Sequence, residues 1–185
     1  ALAFLQAHFP FAVRAYERLV PGAYKADLLR YCLLYQYGGV YGDLTQTYLL
    51  PLDQLIAHET DTLVLCRDRP LRSGRRYLEG IQISFMAARP RLEIFQRAIH
   101  CVIANVRSSF YGYTPQHPTG PTLFRECLDA STDVSPDIRF QEIGGHLTEP
   151  ERDHRVVVCT KAPQHTRYVP KTYGALWRSR QIYRS

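Results

Sequence analysis

A chain of 185 residues, 45% of them hydrophobic, is long enough to fold as one domain with a substantial core. Its formal charge of +6 is compatible with an anionic ligand, either a nucleoside diphosphate or a nucleic acid. The basic residues form no continuous run, which argues against nucleic acid. No segment has the length of a membrane span or the form of a signal peptide.

The first half of the chain predicts short helices followed by one longer helix and a strand. Residues 1–20 are expected to form one or two helices broken at Pro10. A helix over residues 23–37 should end at Gly38, because glycine tolerates left-handed backbone, and a short strand follows at residues 40–41.

Three charged residues converge around that helix and strand. Asp27 and Arg30 are three residues apart, so they share one helix face, and Asp43 lies near the end of the strand. We expect the two helix side chains to face a cleft beside Asp43 and not to fill the core.

The rest of the chain predicts strands interrupted by two amphipathic helices. The strand at residues 80–88 alternates Gln82 and Ser84 with apolar residues, so one of its faces is polar. Pro90 opens a helix with an apolar stripe, and Pro121 opens another helix, whose free N–H groups favour an anion. The other predicted elements are strands at residues 47–50, 62–66, 138–143 and 155–159, and a charged loop at residues 67–79.

The five cysteines are widely spaced and form no C-x-x-C pair. We expect buried free thiols and no zinc site, although one disulfide remains compatible with the sequence. The residues are Cys32, Cys66, Cys101, Cys127 and Cys159.

One stretch resembles a known family. It reads Ala-Asp-x-x-Arg-Tyr from residue 26, Leu-Tyr-x-Tyr-Gly-Gly-Val-Tyr-x-Asp from residue 34, and Pro-Leu-Asp from residue 51. This order resembles the sugar-binding region of DXD-type glycosyltransferases, a group that includes fungal Golgi mannosyltransferases and, more distantly, clostridial glucosylating toxins. The similarity extends over roughly residues 4–128. The family's second acid would fall at position 45, where this chain has Thr45.

The resemblance implies a GT-A-like single α/β domain, with a mixed, mostly parallel sheet flanked by helices, over residues 1–185. The family has a nucleotide-binding strand before a segment like residues 4–6, so the chain is expected to lack its first strand, as a processed or trimmed product would. The tail, residues 161–185, is expected to close over the donor as a lid. Its candidate contacts are Lys161, Arg167, Lys171, Tyr173 and Trp177.

The resemblance also assigns roles to residues. Asp27 and Arg30 would hold the donor sugar and, with Asp43, form the catalytic group; Tyr41 would lie near the nucleotide. Asp43 would bind Mn²⁺ or Mg²⁺, with His165 of the tail as a further ligand. The full predicted donor-binding set is Asp27, Arg30, Tyr41, Asp43, Thr45, Gln82, Thr119, Gly120, Pro121 and Trp177.

The implied activity is transfer of a sugar, with retention, from a UDP- or GDP-linked donor to a glycan, a protein or another hydroxyl acceptor. Thr45 leaves three outcomes open: a metal held by Asp43, the diphosphate and a tail residue; transfer without metal; or an inactive site. The alternative functions are a non-catalytic relative that binds a nucleotide sugar or glycan, and a basic nucleic-acid-binding domain. The sequence does not distinguish a cytoplasmic domain from the lumenal part of a larger protein.

Overall fold

The computed structural model describes residues 1–57, 59–73, 76–132, 134–160 and 172–184. They form a mixed α/β domain in which one sheet lies against a layer of helices. The helices are α1 Leu2–His8, α2 Pro10–Arg18, α3 Gly22–Tyr37, α4 Leu52–Leu55, α5 Glu93–Arg107, α6 Pro121–Asp129 and α7 Tyr173–Arg178. The strands are β1 Gly39–Gly42, β2 Gln46–Tyr48, β3 Leu63–Ser73, β4 Arg76–Ala88, β5 Asp137–Ile143, β6 His146–Glu149 and β7 Arg155–Thr160.

The long helix α3 ends where the sequence predicts. Gly38 has φ 64°, a left-handed conformation that a side chain disfavours. A Cβ on Gly38 would also lie only 2.6 Å from the backbone nitrogen of Pro90. Both the conformation and the close approach therefore require glycine, and they direct the chain from α3 straight into β1.

The sheet is mostly antiparallel, so the predicted mostly parallel sheet is wrong. The strand order is β1-β4-β3-β5-β6-β7-β2, and of the pairs described only β3 with β5 is parallel. The physical reason is the length of the connections. The β3–β4, β5–β6 and β6–β7 links are short and produce antiparallel neighbours, whereas β3 and β5 are separated by the helices α5 and α6.

The predicted charged loop at residues 67–79 is also wrong, because most of this segment is a strand hairpin. Leu71 is paired with Leu78, and Ser73 with Arg76, at the end of the β3–β4 ladder. Apolar alternation identifies strands that bury a face, and it does not detect an arginine-rich hairpin whose backbone carries the pairing. The elements α4, β6 and α7 were not predicted either, because segments of four to six residues are too short to show a clear helix or strand period.

The sheet curls until its two edges approach each other. Strands β1 and β2 stand at opposite ends of the strand order, yet only residues 43–45 connect them. A flat sheet of this size would separate its edge strands by about 29 Å, at roughly 4.8 Å per strand. The four Cα steps of the link span at most about 15 Å. Asp43 therefore lies at the seam between the edges.

The curled sheet has an apolar core on each side. In β3, Leu63 and Leu65 belong to the core shared with the helices, whereas Val64 and Cys66 belong to the core inside the curl. The predicted stripe on α5 lies in the helix-side core, although the helix begins at Glu93 and not at Pro90 as predicted. Among the described residues, no helix has the length and apolar character needed to cross a bilayer.

Candidate functional site

A cleft of about 170 Å³ lies between α3, the seam of the sheet and the segment that leads into α6. The wall formed by α3 and the strands carries carboxylate, guanidinium and amide groups, and the opposite wall carries prolines, glycine and tyrosine. Its lining includes the predicted residues Asp27, Arg30, Asp43, Gln82, Gly120, Pro121 and Tyr173, together with Tyr24, Ser84, Pro115 and Gln116.

The guanidinium of Arg30 is the centre of this wall. Its Nη2 lies 3.1 Å from Oδ1 of Asp27 and 3.6 Å from Oδ1 of Asp43, and its Nη1 donates to the carbonyl of Ile83 at 2.5 Å. The guanidinium carbon lies 4.5 Å from the ring centre of Tyr41, which places the cation over the aromatic face. These four contacts fix the orientation of Arg30 and join α3 to β1 and β4.

The ion pair is buried, contrary to expectation. Asp27 is 7% exposed and Arg30 is 6% exposed, so both fill space between α3 and the sheet while touching the cleft. The expectation that neither would fill the core is wrong. Burial raises the pKa of Asp27, since it penalises the charged carboxylate, and Asp43 adds to this, while Arg30 and Thr119 act in the opposite direction.

The segment before α6 contacts Asp27 directly. Thr119 is fully buried, and its Oγ1 donates to Oδ2 of Asp27 at 2.7 Å. The carbonyl of Thr119 accepts a hydrogen bond of 3.0 Å from the hydroxyl of Tyr31 on α3. Each oxygen of the Asp27 carboxylate therefore has a partner, Arg30 on one side and Thr119 on the other.

Gly120 allows this close approach. A Cβ at this position would lie 3.3 Å from Oδ2 of Asp27 and 3.1 Å from the carbonyl of Gln116. The next residue, Pro121, is the first residue of α6, as predicted. Gly120 and Asp43 both line the cleft, so the structure brings the start of α6 and the end of β1 to one site.

Asp43 is the most exposed of the three charged residues. Its side chain is 37% exposed, and its Oδ1 accepts a 2.8 Å hydrogen bond from the hydroxyl of Tyr41. Its backbone N–H donates to the carbonyl of Ser84 at 2.9 Å, and its carbonyl accepts from the N–H of Gln46 at 2.9 Å. The second bond closes the tight turn that carries Thr45, whose side chain is exposed and does not line the cleft.

The chemistry of these side chains does not amount to a complete metal centre. Among the residues that the structure describes, no three His, Cys, Asp or Glu side chains are grouped to hold an ion. Asp43 offers one carboxylate, and its Oδ1 already accepts from Tyr41 and faces Arg30. Hard divalent cations take at least six oxygen ligands, so Asp43 fits as one ligand among oxygens that a diphosphate would supply.

The tail contributes only in part to the described site. Tyr173, the first residue of α7, lines the cleft, with its ring centre 5.8 Å from that of Tyr24. Trp177 does not line the described cleft, because its indole Nε1 donates to the carbonyl of Tyr111 at 2.6 Å. The predicted metal ligand and three predicted lid cations lie outside the described residues; they are His165, Lys161, Arg167 and Lys171.

Sequence reasoning missed Tyr24, which lines the cleft, and Gln46, which contacts a lining residue without lining the cleft itself. Tyr24 is one helical turn before Asp27 on the same face of α3, so helical spacing would have indicated it. Its hydroxyl donates to the carbonyl of Pro115 at 2.6 Å, which ties α3 to the loop before α6. Gln46 donates to the hydroxyl of Ser84 at 2.9 Å. No sequence pattern identifies that contact, because it depends on how the sheet closes.

Comparison with curated proteins found no match. A solved structure named PaToxG Glycosyltransferase resembles the chain with a TM-score of 0.42 and 16% sequence identity, over 58% of this chain and 35% of that one, about a third of its length. A family model described as the glycosyltransferase sugar-binding region containing the DXD motif matches residues 1–62. The part of the chain that supplies Asp27, Arg30 and Asp43 to the cleft is therefore similar to the sugar-binding region of DXD glycosyltransferases.

Proposed function

We propose that this chain is a GT-A-like glycosyltransferase that moves a hexosyl group, with retention, from a UDP- or GDP-linked donor to a hydroxyl of a glycan or protein. The observation that carries the proposal is the Asp27–Arg30–Asp43 cluster in the wall of the cleft. It lies within the 62 residues that match the sugar-binding-region model. The subfamily implied by the sequence, fungal mannosyltransferases and clostridial toxins, remains part of this proposal.

The arrangement suits recognition of a sugar. Charged side chains make stronger hydrogen bonds to hydroxyl groups than neutral ones do. Asp27 and Arg30 are held in place by Thr119 and Ile83, so they need little reorganisation when a ligand enters. Among the three charged side chains, that of Asp43 has the largest exposed fraction, so it has the most room to contact a donor.

The transfer separates charge, and the site must stabilise both ends. Positive charge develops on the sugar, as in other displacements at an anomeric carbon, and the two carboxylates in the wall of the cleft would stabilise it. Negative charge develops on the departing diphosphate. A divalent ion bound by Asp43 and the diphosphate would neutralise that charge when present. The start of α6 at Pro121 offers backbone N–H groups for the same purpose.

A second candidate is a non-catalytic relative that binds a nucleotide sugar or glycan. The observation that favours it is Thr45, an exposed neutral residue where the family motif has its second acid. A site with one carboxylate for the metal can retain affinity for the donor while stabilising the leaving group too weakly for turnover.

The deciding experiment is donor hydrolysis and donor binding with a panel of UDP- and GDP-sugars, with and without Mn²⁺. Turnover of one donor, lost in Asp43→Asn, supports the transferase. Saturable binding of a donor without hydrolysis or transfer supports the binding relative. If no nucleotide sugar binds, and an oligonucleotide binds with strong salt dependence, the chain is a nucleic-acid-binding domain and both proposals fail.

A further inference from the structure

A separate pocket of about 270 Å³ lies between α5 and α6. It shares no lining residue with the cleft of the candidate site. Two cysteines line it, Cys101 from α5 and Cys127 from α6. Both are free thiols, with Cys127 buried and Cys101 partly exposed. The pocket therefore gives solvent access to one thiol of a pair.

The two thiols line the same pocket, and Cys127 interacts with Cys101 strongly enough to shift its pKa. The helices that carry them pack against each other in the helix-side core. A disulfide needs Cβ atoms about 3.5–4.5 Å apart, so its two cysteines must be carried by elements in direct contact, as α5 and α6 are.

The surroundings of Cys101 favour its thiolate. The hydrogen bond from Cys127 lowers the pKa of Cys101 to about 7; burial opposes this effect, Arg97 reinforces it and Glu126 opposes it. Cys32 differs, since burial in the apolar core raises its pKa to about 12. The thiolate is the form of cysteine that reacts with oxidants, so the environment distinguishes Cys101 from a buried structural cysteine.

We propose that Cys101 and Cys127 form a peroxide-sensitive dithiol that closes to a disulfide joining α5 to α6. Nothing in the proposed glycosyl transfer uses these residues, so this proposal does not depend on that function.

The reaction with hydrogen peroxide has two steps. The thiolate of Cys101 attacks one peroxide oxygen; an S–O bond forms, the O–O bond breaks, and the departing hydroxide takes a proton to become water. The sulfur of Cys127 then attacks the sulfenic sulfur of Cys101, the S–S bond forms, and the S–O bond breaks. The second hydroxide takes the Cys127 proton and leaves as water. Overall, two thiols lose two electrons, and one peroxide is reduced to two waters.

Closing the bond has a structural consequence. A disulfide holds its sulfurs about 2.05 Å apart, so it fixes the spacing of α5 and α6 at this point. The start of α6 lies beside the cleft, where Thr119 and Gly120 contact Asp27. The oxidised protein is therefore expected to differ from the reduced protein both in stability and at the Asp27 end of the cleft.

The test is peptide mapping of the whole purified chain after peroxide treatment. Reduced protein is exposed to hydrogen peroxide, free thiols are blocked with N-ethylmaleimide, and the chain is digested with trypsin. Cleavage after arginine places Cys101 in residues 98–107 and Cys127 in residues 126–139, with one cysteine in each peptide. The expected product is a cross-linked pair of these peptides, lost again after treatment with dithiothreitol.

Three variants keep the proposal falsifiable. In Cys127→Ser, Cys101 should accumulate as sulfenic acid, trapped by a dimedone probe, with no cross-link. In Cys101→Ser, Cys127 should stay reduced at the same peroxide dose. Cys159→Ser is the matched control and should still give the cross-link. The proposal is overturned if wild-type protein keeps both thiols alkylatable after peroxide, if Cys127 is oxidised in Cys101→Ser, or if the cross-link joins other cysteines.

Discussion

The hydroxyl of Thr119 donates a 2.7 Å hydrogen bond to the carboxylate of Asp27, 92 positions earlier in the chain. This contact joins the helix α3 to the segment that opens α6. It also completes the partners of a buried carboxylate, because Arg30 occupies the other oxygen. A buried charge is stable only when it is paired and hydrogen-bonded, so Thr119 supports both the fold and the candidate site.

Thr119→Val tests this support, since valine keeps the shape and removes the hydroxyl. We expect a loss of about 1–3 kcal/mol in the free energy of unfolding, because Asp27 keeps its burial and loses a hydrogen bond. The Thr119 bond favours the charged carboxylate, so removing it raises the pKa of Asp27 further. Stability associated with a raised carboxyl pKa is present at low pH and lost as pH rises through that pKa.

The loss in the free energy of unfolding caused by Thr119→Val should therefore be larger at neutral pH than at about pH 4, where an ordinary aspartate is half protonated. Urea unfolding at both pH values measures it. Thr119→Ser keeps a hydroxyl and serves as the control, with a smaller and less pH-dependent loss. An equal loss for valine and serine at neutral pH would show that packing, and not the hydrogen bond, is the source of the effect.

The Asp27–Arg30 pair should show strong coupling in a double-mutant cycle. Asp27→Asn and Arg30→Met should each destabilise the protein by about 3–5 kcal/mol, because each leaves the partner charge buried. The double variant should lose less than the sum of the two. The exposed pair Glu93–Arg97 is the matched control, and its coupling should be about 0–1 kcal/mol. Additive losses at Asp27 and Arg30 would contradict the described contact.

Gly120→Ala tests the close approach at the start of α6. The added Cβ would meet the carbonyl of Gln116 at 3.1 Å and Asp27 Oδ2 at 3.3 Å, so one of these groups must shift. We expect weaker donor binding and a stability loss of about 1 kcal/mol, in the range for overpacking. Gly22→Ala is the control, because a Cβ there meets nothing within 4 Å and should be neutral or stabilising. Unchanged donor binding in Gly120→Ala would show that Gly120 is not part of the donor-binding site.

The sequence identifies the site more completely than it identifies the sheet. Helical spacing places Asp27 and Arg30 together, and the glycine stop at Gly38 places Asp43 at the end of the next strand. These are local relationships, fixed by backbone geometry within a few residues. The contact of Gln46 with Ser84 depends on how distant segments meet, and no local period encodes that. The antiparallel pairing of β3 with β4 was not predicted, because the charged strands of this hairpin lack the apolar alternation by which strands are recognised.

The metal should bind weakly to the free protein and more tightly when a nucleoside diphosphate is present, because Asp43 alone supplies too few ligands. Calorimetric titration of Mn²⁺ with and without the nucleotide measures this difference in affinity.

Asp43→Asn should abolish the binding of Mn²⁺. Thr45→Asp should tighten it by adding a second carboxylate on the exposed turn, whereas Thr45→Asn is a control for size without charge. Tight binding to the free protein, or full activity in excess chelator, would contradict this prediction. The latter would favour Lys and Arg side chains as the groups that stabilise the leaving diphosphate.

The interaction between Cys101 and Cys127 should be visible as a shifted titration of Cys101. Its alkylation by iodoacetamide should follow the thiolate fraction, with a midpoint near the Cys101 pKa of about 7. Arg97, Cys127, Glu126 and His117 are the charged or titratable groups of this pocket, and Cys127 makes the largest contribution to the pKa shift of Cys101.

In Cys127→Ala the midpoint should rise toward the ordinary value of about 8.5, because the donor to the thiolate is lost. Cys127→Ser keeps a donor and should retain a lower midpoint than the alanine variant. A midpoint in Cys127→Ala equal to that of the wild-type protein would show that Cys127 does not control Cys101, and would leave Arg97 as the source of its reactivity.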